Sequence, residues 1–314
     1  MPYTTGIATS NVDLIDKTID FLTGSAMTAA GQAWTSLGRA TDQTTGGWVR
    51  GPGLAGGENI YVGLRAADTP ASDVYNIEVA GSLGFSTSLA WSAQVGKSPL
   101  AYSCGWNTST PYWIVANGQR FVVVFKVSTT YHAIYAGKIL PYGTPSQYGY
   151  PVFIGGETDS ATLRWSDTTP AFRHFVDPGA PLNGNTSLSG AYLCYPDGSW
   201  QQFKNWFTAG GVDSQSTSGR SIWPYQGDAT DSSNVADRHR EIRDNVDGSY
   251  TLFPLILQAS SPGKQVFGEF DGCYFVSGHN NAAENIITVG GADHLVVQNI
   301  FRTNRWNYWA LKLA

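Results

Sequence analysis

The sequence predicts a mainly β protein, a β-sandwich or open β-barrel with one or two short helices near its N-terminus. Three observations carry this. The chain of 314 residues holds 36 Gly, together with 11 Trp, 16 Tyr and 14 Phe, but only 14% charged residues, against about 25% in an ordinary soluble domain. Short apolar runs alternate with turn dipeptides such as Asn-Gly and Asp-Gly. Helical periodicity is confined to the first forty residues. The composition excludes a disordered chain, a coiled coil and a helical bundle. A chain of this length buries about three quarters of the surface its unfolded form exposes, so its core needs neither disulfide nor metal.

The first element is a helix. Ser10 with Asp13 three residues later is a capping signature, Val12, Ile15, Ile19 and Leu22 recur at helical spacing, and Gly24 is a natural stop. Met27, Ala30, Trp34 and Leu37 suggest a second short helix, which Gly31 weakens. Strands follow at Ile60 to Leu64, Tyr75 to Val79 and Tyr131 to Ile139. Asn117-Gly118 lies between Tyr112–Ala116 and Gln119–Val127 and is the strongest hairpin signal, a two-residue type I′ turn. The run Phe121 to Phe125 is apolar at every position, as a strand covered on both faces must be.

The second half repeats the pattern. Asp197-Gly198 separates Ala191–Tyr195 from Trp200–Phe203, Asp247-Gly248 precedes Ser249–Leu257, and Asp271-Gly272 precedes Cys273–Val276. Gly290-Gly291 separates Asn285–Val289 from His294–Phe301. Two polar stretches interrupt this, Glu157 to Ser189 and Thr208 to Asn234. The first is the expected junction between an N-terminal helix-plus-β domain, 1–160, and a second β domain, 161–314, although one large β domain fits as well.

Motifs for chemistry are sparse. Gly51-x-Gly53-x-x-Gly56 spells a dinucleotide fingerprint, but it holds Pro52 and precedes a strand, whereas the fingerprint needs a helix N-terminus. It reads as a glycine-rich turn. No Walker A, Gly-x-Ser-x-Gly or His-Glu-x-x-His sequence occurs. Asp237, His239 and Glu241 would share one face of a strand, but Arg238, Arg240 and Arg243 between and beside them repel a cation. A solvated, charge-alternating segment is the expected reading. The calcium-like run Asp244 to Gly248 puts Arg243 at the first ligand position of an EF-hand frame, and so fails. The five histidines, His132, His174, His239, His279 and His294, are far apart in sequence. Cys104, Cys194 and Cys273 have no zinc spacing and read as buried small hydrophobes. Asn107 and Asn185 each begin a glycosylation pattern, which matters only in a secreted chain. No catalytic, cofactor-binding or metal-ligating residue is therefore assigned, and no cofactor or enzymatic activity is expected.

Net charge is −5 and basic residues are scattered, which argues against nucleic acid and anionic membrane as partners. The start carries no charged segment followed by an apolar one, and the longest apolar run is far too short to cross a bilayer. A weakly charged, aromatic surface usually has a protein partner.

Three blocks carry a resemblance. The first is Arg50-Gly-Pro-Gly53 with Ile60-Tyr-Val-Gly-Leu-Arg65. The second is Pro111-Tyr-Trp-Ile-Val-Ala-Asn-Gly118, Arg120-Phe121, Tyr135-Ala-Gly137, Leu140-Pro-Tyr142 and Tyr150-Pro151. The third is Phe270-Asp-Gly272, Val276-Ser-Gly278, Asn281 to Asn285, Val297 to Thr303 and Trp309-Ala-Leu311. In these the chain resembles a family of virion structural proteins of tailed bacteriophages. The resemblance implies a neck or collar, tail or baseplate subunit, assembled in the host cytoplasm and located in the virion. Its implied partners are copies of itself and other neck, tail or baseplate proteins. A host-receptor or glycan-binding module on the same particle, with a host surface glycan as partner, is the alternative. The family supplies no catalytic residues.

Overall fold

The computed structural model describes residues 1–143, 151–169, 172–177, 189–203, 220–224, 247–259 and 265–313. The chain opens with β1 (Tyr3–Ala8), α1 (Asn11–Thr23), α2 (Ser25–Ala29), β2 (Thr35–Gly38), β3 (Gly47–Gly51), β4 (Ile60–Thr69), β5 (Val74–Ser82) and β6 (Ala101–Gly105). It continues with β7 (Thr110–Ala116), β8 (Arg120–Val127), β9 (Thr130–Lys138), β10 (Leu140–Pro141), β11 (Val152–Gly155), β12 (Ala191–Cys194) and β13 (Trp200–Gln202). The last strands are β14 (Arg220–Trp223), β15 (Phe253–Ala259), β16 (Gln265–Phe275), β17 (Ile286–Val289), β18 (Ala292–Gln298) and β19 (Tyr308–Lys312).

These form three sheets. The central one is seven-stranded, in the order β1-β7-β8-β9-β11-β12-β13. A five-stranded sheet, β2-β3-β4-β5-β6, packs with α1 on one of its faces. The third sheet, β14-β15-β16-β19-β18-β17 with β10 beside β16, packs on the other. The protein is thus mainly β and sandwich-like, with three layers rather than two.

The alternation along β8 builds the layers. Phe121, Val123, Phe125 and Val127 join Val62, Leu64, Ile77 and Val79 of the five-stranded sheet. Val122 and Val124 point the other way, into a core with Phe270, Trp309 and Leu311. This is why the run from Phe121 to Phe125 has no polar face. The central sheet also takes strands from both sides of residue 160, because β11 pairs directly with β12.

Helix α1 starts as its sequence predicts, with the Ser10 hydroxyl accepting from the Asp13 N–H at 3.1 Å. Its buried stripe is Asn11, Leu14, Ile15, Thr18 and Leu22. The expected second helix is only the short α2. Trp34 instead leads into β2, where its Nε1–H donates to the Asn117 carbonyl at 2.8 Å.

The turns divide. Gly290-Gly291 forms the two-residue hairpin, with φ +60 and +79 between the paired Val289 and Ala292, as type I′ requires. Asp197-Gly198 also closes its hairpin, with Gly198 at φ +81. Asn117-Gly118 does not form the expected type I′ turn. Asn117 still pairs with Arg120, its N–H reaching the Arg120 carbonyl at 2.9 Å, so the loop is Gly118-Gln119, one residue later. The Asn117 side-chain oxygen replaces its carbonyl, accepting from the Gln119 and Arg120 N–H groups at 2.9 and 3.0 Å. Glycine is needed at 118 for closeness: a Cβ there would lie 2.3 Å from the Gly53 carbonyl oxygen. Asp271-Gly272 is no turn either. It lies inside β16, where the pairing with β15 slips between Pro254 and Ile256 and Gly272 takes φ +75.

Candidate assembly surface

Three clusters of buried polar side chains stand out among the described residues. The first lies at the β7–β8 turn. Arg120 is fully buried, and its Nε donates to Asp271 Oδ2 at 3.2 Å while Nη1 donates to the Val115 carbonyl at 3.2 Å. Asn117 Nδ2 and Gln119 Nε2 donate to the same carboxylate oxygen at 2.6 and 3.2 Å. Burial alone would lift the Asp271 carboxyl. The Arg120 guanidinium and the two amides outweigh it and hold the group below the usual carboxylate range. The kink at Gly272 is what aims Asp271 across from β16 to β8.

The second lies at the other end of the β8–β9 hairpin. Glu157 follows β11 and is shielded from solvent on all sides. It accepts from the Ala133 N–H at 2.7 Å, the Cys104 N–H at 3.0 Å and His132 Nδ1 at 3.0 Å. His174 lies alongside. Trp309 Nε1 donates to its Nδ1 at 3.0 Å, and its own Nε2–H donates to the Tyr131 carbonyl at 2.9 Å. This pattern fixes a neutral imidazole, and burial pushes its pKa down to about 4. Burial would raise the Glu157 carboxyl, but the two imidazoles and the Cys104 N–H hold it below the ordinary value. The relay touches all three sheets, through Cys104, Ala133 and Trp309. Its carboxylate and both imidazoles are buried.

The third is on the five-stranded sheet. Arg65 pairs across strands with Glu78 at 2.8 Å. Trp91 Nε1 donates to Glu78 Oε1 at 2.7 Å, and the Arg65 guanidinium lies 4.6 Å above the Trp91 ring. Lys97 sits 3.7 Å from the same carboxylate, its pKa lowered by burial.

The outer surface is different. Large apolar side chains stand in solvent at Ile7 (62% exposed), Val95, Val266, Leu54, Tyr142 and Ile286. Leu83 and Val95 join through a main-chain hydrogen bond of 2.8 Å, and Tyr3 stands four residues from Ile7 on β1. Beside β1 an open cleft of about 310 Å³ is lined by Thr4, Lys17, Asp20, Phe21, Ser25 and Tyr112. Small-molecule sites usually enclose their ligand far more completely than this cleft would.

Of the four described histidines the structure gathers His132 and His174, around Glu157, which no motif marked. His279 and His294 lie apart from it, and His239 lies outside the described residues with Asp237, Glu241 and the run Asp244 to Val246. Gly51 ends β3 opposite Ile60, and Gly53 and Gly56 lie in the turn of the antiparallel β3–β4 hairpin at positive φ. All three cysteines are free and buried. Asn107 is exposed between β6 and β7, and Asn185 lies outside the described residues. Among the described residues no helix is long and apolar enough to cross a membrane, and no cluster of three or more metal-ligating side chains occurs. No protein-family model matches the chain, and no curated protein matches it.

Proposed function

We propose that this chain is a structural subunit of a tailed-phage particle, in the neck or collar, tail or baseplate, and that it works by assembly rather than catalysis. One observation supports this above the others. The three sequence blocks that resemble phage virion proteins meet at a single place. The Gly53 N–H of the first block donates to the Gly118 carbonyl of the second at 2.7 Å. Asn117 and Arg120 of the second bind Asp271 of the third. The shared wording is therefore spent on locking three sheets into one body, the requirement of a part that bears load. The low charge of the surface and its exposed apolar side chains suit repeated contacts between subunits, where burying charge is costly.

Antibody labelling of intact particles, imaged by electron microscopy, tests the reading. Label in rings or at fixed sites on the neck, tail or baseplate is expected, and particles without label would overturn it. The alternative of a glycan-binding module draws on Trp106 and Trp165, half-buried rings 5.0 Å apart, with Trp106 Nε1 donating to Asp73 at 3.3 Å. A glycan array that lights up with wild-type protein and goes dark with Trp106→Ala would favour it.

A further inference from the structure

We propose that β1 is an assembly edge at which two copies of this chain join, antiparallel and about a twofold axis through Thr5, so that the central sheet runs from one copy into the other. This deepens the reading above and rests on its self-assembly part.

The first ground is main-chain hydrogen bonding. β1 pairs only with β7 and lies at the end of its sheet. The Ala116 N–H donates to the Pro2 carbonyl at 3.1 Å, and residues of an antiparallel ladder face their partner alternately. Thr4, Gly6 and Ala8 therefore face β7, while the N–H and C=O groups of Tyr3, Thr5 and Ile7 point outward. Among the described residues nothing bonds to these groups. The open edge stops at Thr9, whose N–H is taken by Asp13 Oδ2 at 2.7 Å.

The second ground is the lack of protection. Exposed edges are normally blunted by charge, proline, a bulge or shortness. At four other sheet ends of this molecule they are. β13 has three residues and β17 four. β2 is broken by a register shift, and β6 is covered at Tyr102 by Thr158. β1 has six residues, the most of any strand at a sheet end, with an unbroken register and no charged side chain.

The third ground is fit, which identifies the occupant as a second copy. Antiparallel pairing must set outward-facing residues opposite one another. With Thr5 on the axis, Thr5 meets Thr5, and Tyr3 of each copy meets Ile7 of the other. Aromatic against β-branched and Thr against Thr are favourable cross-strand pairs. These are the two exposed apolar residues of the strand, at 47% and 62%. On the other face the axis sets Thr4 opposite Gly6, so nothing bulky obstructs the approach. Helix α1 starts beside the end of β1, where Asp13 takes the Thr9 N–H.

Sedimentation of the purified full chain over a range of concentrations tests this, with wild type expected to dimerise reversibly. Thr5→Pro removes a donor that serves only the outward edge, a place where a strand tolerates proline. It should raise the dimer dissociation constant at least about tenfold with the melting temperature kept. Ile7→Lys puts charge on the edge and should do the same, and it decides the matter if Thr5→Pro lowers the melting temperature. Thr5→Cys should give a disulfide-linked dimer on oxidation, since the native thiols are buried. A wild type that stays monomeric overturns the proposal, as does a well-folded edge variant that still dimerises or a Thr5→Cys chain that does not cross-link. In the second case assembly uses another face and the virion reading stands. Failure of that reading is seen separately, in the labelling of particles.

Discussion

The two ends of the β8–β9 hairpin solve one problem with opposite chemistry. At the open end, beside the β7–β8 turn, Arg120 crosses to Asp271. At the turn end, Glu157 gathers two main-chain N–H groups and His132, with His174 and Trp309 behind it. Both tie the central sheet to its neighbours through buried polar groups. Burial holds the folded His174 neutral until its pKa of about 4. The lesson is that one end is built on an ion pair and the other on a neutral imidazole that acid can charge.

The comparison breaks most directly at Arg120. Arg120→Met leaves Asp271 without its counter-charge, and should cost about 3–5 kcal/mol of stability in chemical denaturation. Adding Asp271→Asn should recover part of that loss, because the two residues act as a pair. Acid is the next probe, and it separates the ends. The unfolded His174 imidazole takes up a proton below its ordinary 6.5, but the folded one only near 4. The unfolded state then binds more protons, so stability falls as pH drops through that window, by up to about 3 kcal/mol. Asp271 and Glu157, both held below their ordinary values of 3.8 and 4.5, lose their contribution only in stronger acid. His174→Gln should flatten most of the decline in melting temperature from pH 7 to 4.5, leaving a smaller remainder from His294, whose pKa burial also lowers. Gly118→Val sharpens the reading of the Arg120 end. Its Cβ would strike the Gly53 carbonyl, and forced overpacking costs about 1–3 kcal/mol. Gly118→Ala should lose nearly as much, since the collision is with Cβ itself. Ser10→Ala is the smallest, about 1 kcal/mol from the lost helix cap, and should leave the acid response unchanged.

What could be read from the sequence follows from how local each cause is. The cap at Ser10, the Gly290-Gly291 turn and the two-faced burial of Phe121 to Phe125 arise within a few residues of themselves, and each was legible. Asn117-Gly118 was legible as a hairpin and misread as a turn type, because the glycine answers to Gly53, a neighbour far away in sequence. Asp271-Gly272 carries the letters of a turn but is a kink in a strand that the third sheet holds straight on either side. Glu157 had no motif at all. Its donors come from residues 104, 132 and 133 on two sheets, and no spacing rule joins them. β1 was overlooked for a related reason: Tyr-Thr-Thr-Gly-Ile-Ala barely alternates in polarity, since one face meets a cleft and the other meets solvent.

The pairing of β1 with β7 also sets a clock. Tyr3 lies opposite Val115, so at an elongation rate of about 5–20 residues per second roughly 6 to 22 s pass between the making of one partner and the other. Until then the first strand has nothing to lie against. Contacts this remote in sequence slow folding, and the central sheet is complete only when β13 has been added. The flat outer border of that sheet is thus a late product of synthesis. A ribosome-bound fragment that ends before β7 cannot display it.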